Sequence, residues 1–242
     1  MGQKPQNITK AWLKRYPPKK GPVRPGEPLV AAVNVPLASE NEFNTTTGYD
    51  RIILEFCCSD DSVLGSDDVQ SAKGCHVIRI TKEHDPTTQE GLAYWETIVH
   101  AFRSRKLLLW GSLPCTQGCG WKTVNQRYAS AREKLAKHNE LYFKLRDAYM
   151  HLARIVRSYG GELAWEWPKR CDTWHDPVLV DFLNEMGMQK AHCDGCVLGV
   201  HSARQKFLGM PISKAWAIAT TCYSLYNHLD VFRCPGCTHA PC

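Results

Sequence analysis

The chain has 242 residues, of which 43% are hydrophobic and 22% are charged, and this composition excludes a wholly disordered protein. Apolar runs fall short of the roughly 20 residues of a membrane span, and the N-terminal segment MGQKPQNITK lacks the apolar stretch of a secretory signal. We therefore expect an intracellular protein, nuclear or cytoplasmic, with no membrane partner. The net charge of +6 is uneven, because seven Lys and Arg residues precede the first acid, Glu27, and the rest of the chain sums to −1.

Residues 1–48 contain that basic run together with seven prolines. Proline interrupts helices, so the segment is predicted to be a basic, Pro-rich N-terminal arm without long helices. Two interpretations remain open. The arm contacts the phosphates of a nucleic acid, or it is a solubilising linker within a longer polyprotein.

The twelve cysteines are scattered along the chain, and several lie inside apolar, strand-like runs, among them Cys57, Cys58 and Cys75. This distribution favours buried free thiols over a disulfide framework and indicates a reducing compartment.

From residue 51, apolar strand-like runs alternate with helical patterns. The first five predicted elements are a strand RIILEFCC, a short helix VLGSDDVQSA, a strand HVIRIT, a helix TQEGLAYWETIVHAFRSR and a strand KLLLWGSL. Residues 126–158 follow as one long helix or two, and then a strand ELAWEW and a helix PVLVDFLNEMG. Three late strands are predicted at HCDGCVLG, AWAIATT and VFRC.

This alternation predicts an α/β domain over residues 49–242. Its fold is expected to be Rossmann-like, a doubly wound and mostly parallel sheet with helices on both faces. Ligands of such sheets bind beyond the carboxyl ends of the strands, where this chain places acidic, hydroxyl and thiol groups. The alternative is that these side chains belong to ordinary polar loops and helix N-caps without a ligand.

Four segments at the strand ends, followed by a Cys-rich end, resemble S-adenosylmethionine-dependent methyltransferases of the C5-cytosine type. The segments are EFCCSDDSVLGS, HVIRITKEHDPTT, WGSLPCTQGCGW and AWEWPKRCDTW, followed by DGCVLG and CPGCTHAPC. The similarity is closer to the methyltransferase-like domains of mobile-element and viral polyproteins, and it covers about residues 51–242. It implies a transferase that uses S-adenosylmethionine and acts on cytosine in DNA or RNA.

Carried over residue by residue, the resemblance makes Cys115 the nucleophile that adds to C6 of cytosine and Glu166 the group that hydrogen-bonds N3. The cofactor would be held by residues of the loops after the strands, namely Glu55, Cys57, Cys58, Ser59, Asp60, Ser62, Glu83, Asp85 and Pro114. The family's glycine-rich first loop is replaced here by Cys58 to Asp61, with no glycine before Gly65. The alternative is therefore a catalytically degenerate module that binds nucleic acid or protein.

Other roles remain open for single residues of this set. Cys115 is either a nucleophile or a turn thiol, and Glu166, between two tryptophans, is either functional or paired with a basic side chain. Trp121 and Trp167 either stack on a base or pack in the core. A hydrolase that pairs Cys115 with His84 or His175 is a further alternative.

The C-terminal part contains two Cys-x-x-Cys pairs, the first formed by Cys193 and Cys196 and the second by Cys234 and Cys237. Thiolates at this spacing can ligate one tetrahedral zinc ion. His239 and Cys242 compete as ligands in a more local set, and a group of buried thiols without metal is the alternative.

Overall fold

The computed structural model describes residues 48–64, 72, 74–120, 122 and 126–240, with the side chains of 129 and 130 excepted. These residues all belong to one compact unit. The N-terminal arm, Trp121, Cys242 and most of the predicted short helix at VLGSDDVQSA lie outside the described residues.

The described elements are six strands and four helices. The strands are β1 (Arg51–Phe56), β2 (Cys75–Ile80), β3 (Lys106–Gly111), β4 (Glu162–Pro168), β5 (Gln189–Asp194) and β6 (Ala215–Thr220). The helices are α1 (Gln89–Ala101), α2 (Ala129–Ser158), α3 (Pro177–Glu185) and α4 (Tyr223–Leu229). Single 3₁₀ turns form at Asp172–His175 and Gln205–Phe207.

The six strands form one mixed sheet in the order β2-β1-β3-β4-β6-β5. β1 pairs in parallel with β2 and β3, and β3 pairs in parallel with β4. β6 is antiparallel to both of its neighbours, β4 and β5. The predicted α/β class is confirmed, whereas the sheet is partly antiparallel and a doubly wound arrangement is not confirmed.

The antiparallel direction of β6 follows from the segment that connects it to β5. Two parallel strands need a long crossover, usually a helix, between them. Residues 195–214, which join β5 to β6, contain turns, isolated β-bridges and one three-residue 3₁₀ turn, but no α-helix. Without a crossover helix, β6 runs back beside β5 and inserts between β5 and β4.

The strand order changes direction between β1 and β3. From β1 the chain adds β2 on one side, and it then returns to add β3 on the other side. In α/β sheets this switch point leaves a crevice at the carboxyl ends of the two strands. The loops after Phe56 and Gly111 therefore border the same crevice.

Hydrophobic packing occurs on both faces of the sheet. The larger core takes side chains from α1, α2 and α3, including Trp95, Tyr149 and Phe182, and it packs on Trp165 and Trp167 of β4. The smaller core, around Ala164, Cys193 and Ile218, packs against α4.

The long segment before β4 forms one helix of 30 residues, α2, and it ends before Gly160, whose φ of +74° favours glycine. The predicted strand VFRC is wrong, because residues 231–234 form an irregular segment after α4. Within the described part of the chain, none of the helices is both long enough and apolar enough to cross a membrane.

Candidate active-site edge and metal centre

Glu55 lies near the carboxyl end of β1 and is only 7% exposed. Its Oε1 accepts a hydrogen bond of 2.7 Å from the Ser62 hydroxyl, while Oε2 has no hydrogen-bond partner and lies 4.0 Å from Arg79 Nε. Arg79 also donates to the backbone oxygens of Ser62 and Leu64, at 2.8 and 3.1 Å. Glu55 and Arg79 thus anchor the loop after β1 through hydrogen bonds to Ser62 and Leu64.

Cys57 begins this loop in the left-handed region, with φ of +62°. Side chains with a Cβ rarely adopt that conformation, and glycine is the residue that adopts it at little cost. Burial raises the pKa of the Cys57 thiol, and burial together with the Glu55 charge raises the pKa of Cys58 to about 12. Both thiols are therefore protonated at neutral pH. Ser59 and Asp60 are exposed in the turn that follows.

The loop after β2 lies beside the loop after β1, since β1 and β2 are parallel neighbours that end together at Phe56 and Ile80. The Asp85 carboxylate accepts from Thr87 N at 2.9 Å, and its backbone oxygen accepts from Thr88 N at 3.0 Å. Asp85 therefore shapes the turn before α1, whereas Glu83 is exposed.

Glu83 and His84 border a cavity of 410 Å³ between β2 and α1. His84 stacks on Tyr94 with ring centroids 3.8 Å apart, and its backbone oxygen accepts from Trp95 Nε1 at 2.7 Å. His84 is thus engaged with aromatic rings of α1.

Cys115 follows the exposed Pro114 in the loop after β3, and it is half-buried at the rim of the larger core. Its backbone oxygen accepts from Gly118 N at 2.9 Å, which closes a turn. The pKa of the Cys115 thiol is raised mainly by burial, and the charges of Cys119 and Glu166 raise it further. The charge of Lys214 acts in the opposite direction.

Glu166 is half-buried on β4, one residue beyond the register pair Trp165 and Gly111. Burial raises the pKa of its carboxyl group, while the charge of Lys214 and a hydrogen bond with the Ser112 side chain lower it. Ser112 Oγ also accepts from Trp110 Nε1 at 3.0 Å. The sheet therefore brings Glu166 to the edge from which the Cys115 loop leaves.

One of the open alternatives is decided by packing. Trp167 is only 1% exposed and donates to Leu113 O at 2.6 Å, so it is a core residue and cannot stack on a base. His175 ends the 3₁₀ turn that leads into α3.

Four side chains near the C-terminus converge on one point, Cys196, Cys234, Cys237 and His239, whose ligand atoms all lie within 4.8 Å of one another. Cys234 Sγ is 3.5 Å from both Cys237 Sγ and His239 Nε2, and Cys237 Sγ is 3.3 Å from His239 Nε2. In a tetrahedral site with zinc bonds of about 2.0 to 2.3 Å, such atoms are about 3.5 to 3.8 Å apart. A Cys₃His cluster with the dimensions of a metal site is therefore present.

This cluster corrects the predicted ligand set in one position. Cys193 is 2% exposed and packs with Ile218 in the smaller core, because it lies on β5 facing α4. Its place is taken by His239, the neighbour of the second Cys pair, which the sequence offered as an alternative. Cys242 lies outside the described residues.

The backbone around Cys234 supports ligation. Asp194, at the end of β5, accepts from Cys234 N at 2.8 Å and donates its own N–H to Phe232 O at 2.9 Å. Gly236, with φ of +91°, aims its N–H at Cys234 Sγ from 3.3 Å. This hydrogen bond is the main reason that the pKa of Cys234 is lowered to about 7, which favours the thiolate that metals bind.

Comparison of the chain with protein-family models, curated proteins and solved structures finds no match.

Proposed function

We propose that residues 49–242 form a methyltransferase-like domain that transfers a methyl group from S-adenosylmethionine to C5 of cytosine in a nucleic acid. The observation that carries the proposal is that Glu166 on β4 and the Cys115 loop after β3 lie at the same edge of the sheet, because Trp165 is the register partner of Gly111. The loop of Cys115 also borders the crevice at the switch point between β1 and β3.

The two side chains have complementary roles in this reaction. The Cys115 thiolate forms a bond to C6 of the cytosine ring, while the Glu166 carboxyl group donates a hydrogen bond to N3. Electron density moves to C5, which would take the methyl group of bound S-adenosylmethionine as its S–CH₃ bond breaks, and S-adenosylhomocysteine would leave as the neutral thioether. Loss of the C5 proton to water then breaks the bond between Cys115 and C6 and restores the thiolate.

The environment of each group suits its role in part. Burial raises the pKa of Glu166, which favours the protonated carboxyl that N3 requires. Burial also raises the pKa of Cys115, which disfavours the thiolate, but the positive charge of Lys214 acts against this effect. Base flipping would be required to bring a cytosine of duplex DNA to this edge.

S-adenosylmethionine would supply the methyl group as an electrophile when bound. Its ammonium and ribose hydroxyl groups are hydrogen-bond donors, and the carboxyl ends of β1 and β2 each carry a carboxylate that matches them as an acceptor. Glu55 Oε2 is buried without a hydrogen-bond partner at the end of β1, and Glu83 is exposed at the end of β2. We assign these two carboxylates to the cofactor, together with the loop that begins at Cys57.

For the Cys₃His cluster we propose zinc. Three thiolates and one imidazole at these separations match a closed, four-coordinate structural zinc site. The ligand set leaves no open position for substrate, so the ion would stabilise the fold rather than take part in methyl transfer.

Calorimetry with S-adenosylmethionine, followed by trapping on oligonucleotides that contain 5-fluorocytosine, tests the enzymatic proposal. Fluorine at C5 cannot leave as a proton does, so a covalent protein–nucleic acid adduct should accumulate with either DNA or RNA. Cys115→Ser and Glu166→Gln should abolish the adduct and leave cofactor affinity within about twofold of wild type.

Matched controls exist within the same elements. Cys119→Ser changes a thiol in the same loop, and Glu162→Gln changes a carboxylate at the other end of β4, where it pairs with Arg157. Both controls should still form the adduct. Absence of cofactor binding and of adduct in the wild-type chain would instead favour a degenerate binding module.

A further inference from the structure

The segment 210–214, which leads into β6, lies between the two parts of the chain that carry the metal ligands. On one side, Ile212 N donates to Val200 O at 3.0 Å, in the loop that contains Cys196. On the other side, Ala240 N donates to Pro211 O at 2.8 Å, next to His239. Ile212 and Ala240 also form a parallel β-bridge.

Lys214, at the end of this segment, also contacts the loop that contains Cys196. Gly195, the neighbour of Cys196, donates its N–H to Lys214 O at 2.6 Å. A Cβ at Gly195 would lie 2.9 Å from the same oxygen and 2.8 Å from the Trp216 ring, so this approach is close. The backbone of Lys214 is therefore held by a residue adjacent to a metal ligand.

The ammonium of Lys214 lies on the face of the sheet that carries Glu166. Lys214 Nζ lies over the Trp216 ring, 4.7 Å from its centroid. Trp216 and Ile218 share one face of β6 because side chains alternate along a strand, and Glu166, the register partner of Ile218, lies on the same face. The ammonium therefore shares this face with the carboxyl group on which its charge acts.

We propose that the zinc ion of the Cys₃His centre holds segment 210–214 between its two ligand-bearing parts and thereby fixes the Lys214 ammonium beside Glu166. Lys214 is then a positioning residue for the Cys115–Glu166 edge, and the metal acts on that edge through it. This inference rests on the proposed zinc site, but it does not require the proposed methyl transfer.

The first measurement is the metal content of the full chain purified under reducing conditions. We expect one zinc per chain, and cobalt(II) in its place should show the absorption of a tetrahedral sulfur and nitrogen site. Cys237→Ser and His239→Ala should lose the metal or bind it far more weakly. Cys222→Ser, which changes a half-buried thiol hydrogen-bonded to Ser224, should retain it.

The second measurement is the pH titration of the Glu166 carboxyl carbon by ¹³C NMR, with the signal assigned by Glu166→Gln. The other groups that interact with this carboxyl group are Ser112, Cys115 and Cys193. Lys214→Met should raise the midpoint, favouring the protonated carboxyl by about two- to fivefold. Lys206→Met, in the same β5–β6 connection, should leave it unchanged.

The two measurements together decide the proposal. In Cys237→Ser or His239→Ala the midpoint should already be raised, and adding Lys214→Met should change it little. A full effect of Lys214→Met in either metal-free variant would overturn the coupling while leaving the zinc site intact. A chain without bound metal would overturn the proposal at its first step. Neither readout depends on S-adenosylmethionine or nucleic acid, so a failed methyltransferase assay is separable from both.

Discussion

Replacing Asp176 with alanine should destabilise the domain strongly, because this carboxylate accepts hydrogen bonds from two buried side chains and also caps α3. Its Oδ2 accepts from Arg146 Nη1 at 2.7 Å and from the Tyr142 hydroxyl at 3.0 Å. Its Oδ1 accepts from Val178 N at 3.1 Å and so caps α3. Asp176, Arg146 and Tyr142 are all less than 9% exposed.

The magnitude follows from what the substitution leaves behind. Breaking a buried ion pair costs about 3 to 5 kcal/mol because the remaining charge stays buried. Here the lower end applies, since Arg146 also bonds the exposed carboxylate of Asp147, at 2.6 Å. Loss of the helix cap adds about 1 kcal/mol. The expected loss is about 4 kcal/mol, which lowers the Tm of a domain of this size by about 10 °C.

Urea unfolding followed by tryptophan fluorescence, together with calorimetry, measures this loss. The matched control is Asp181→Ala, an exposed carboxylate on the same helix, which should change the free energy of unfolding by less than about 0.5 kcal/mol. A loss below about 1 kcal/mol for Asp176→Ala would refute the reasoning. It would mean that Arg146 and Tyr142 find other partners or reach solvent.

Three further outcomes are expected. Gly118→Ala should cost about 1 to 3 kcal/mol, because its Cβ would lie 2.5 Å from Cys171 Sγ, whereas Gly120→Ala meets nothing within 4 Å and should be neutral in the same urea assay. Cys57→Gly should be more stable than Cys57→Ala by about 1 kcal/mol, since glycine alone relieves the φ of +62°; equal stabilities would show that the backbone shifts instead. Burial raises the pKa of Glu166, so its contribution to stability is present below its unfolded pKa and is lost as pH rises through the folded value. Glu166→Gln should therefore have a higher Tm than wild type at pH 8, and the difference should shrink at pH 4, a trend that a pH-independent difference would contradict.

Local pattern in the sequence determined much of the fold. Strands β1 to β4 and helices α1 and α3 form where hydrophobic runs, helical spacing and caps predict them, because these signals depend on neighbouring residues alone. The Asp176-Pro177 pair, for example, starts α3 as an N-cap followed by proline at the first turn. The common direction of β2, β3 and β4 also follows from α1 and α2, the helices that alternate with them.

Other features depended on which strands and loops meet in space. The sequence of AWAIATT predicts a strand but not its direction, and β6 is antiparallel because a connection without a crossover helix returns it between β4 and β5. VFRC has the apolar character of a strand, yet residues 231–234 lie outside the sheet and carry the backbone that presents Cys234.

The metal centre, too, was predicted in part by the sequence and decided in part by the tertiary structure. Two Cys-x-x-Cys pairs and a nearby histidine predict a metal site, because the ligand types are encoded directly in the chain. Which four side chains converge was decided by side-chain direction: on β5, Cys193 faces the core against α4, while Cys196, beyond the strand, turns toward His239. Cys193 lies within β5 and Cys196 in the turn after it, so one thiol is buried and the other is free to ligate, and only the position of the strand end in the tertiary structure sets that difference.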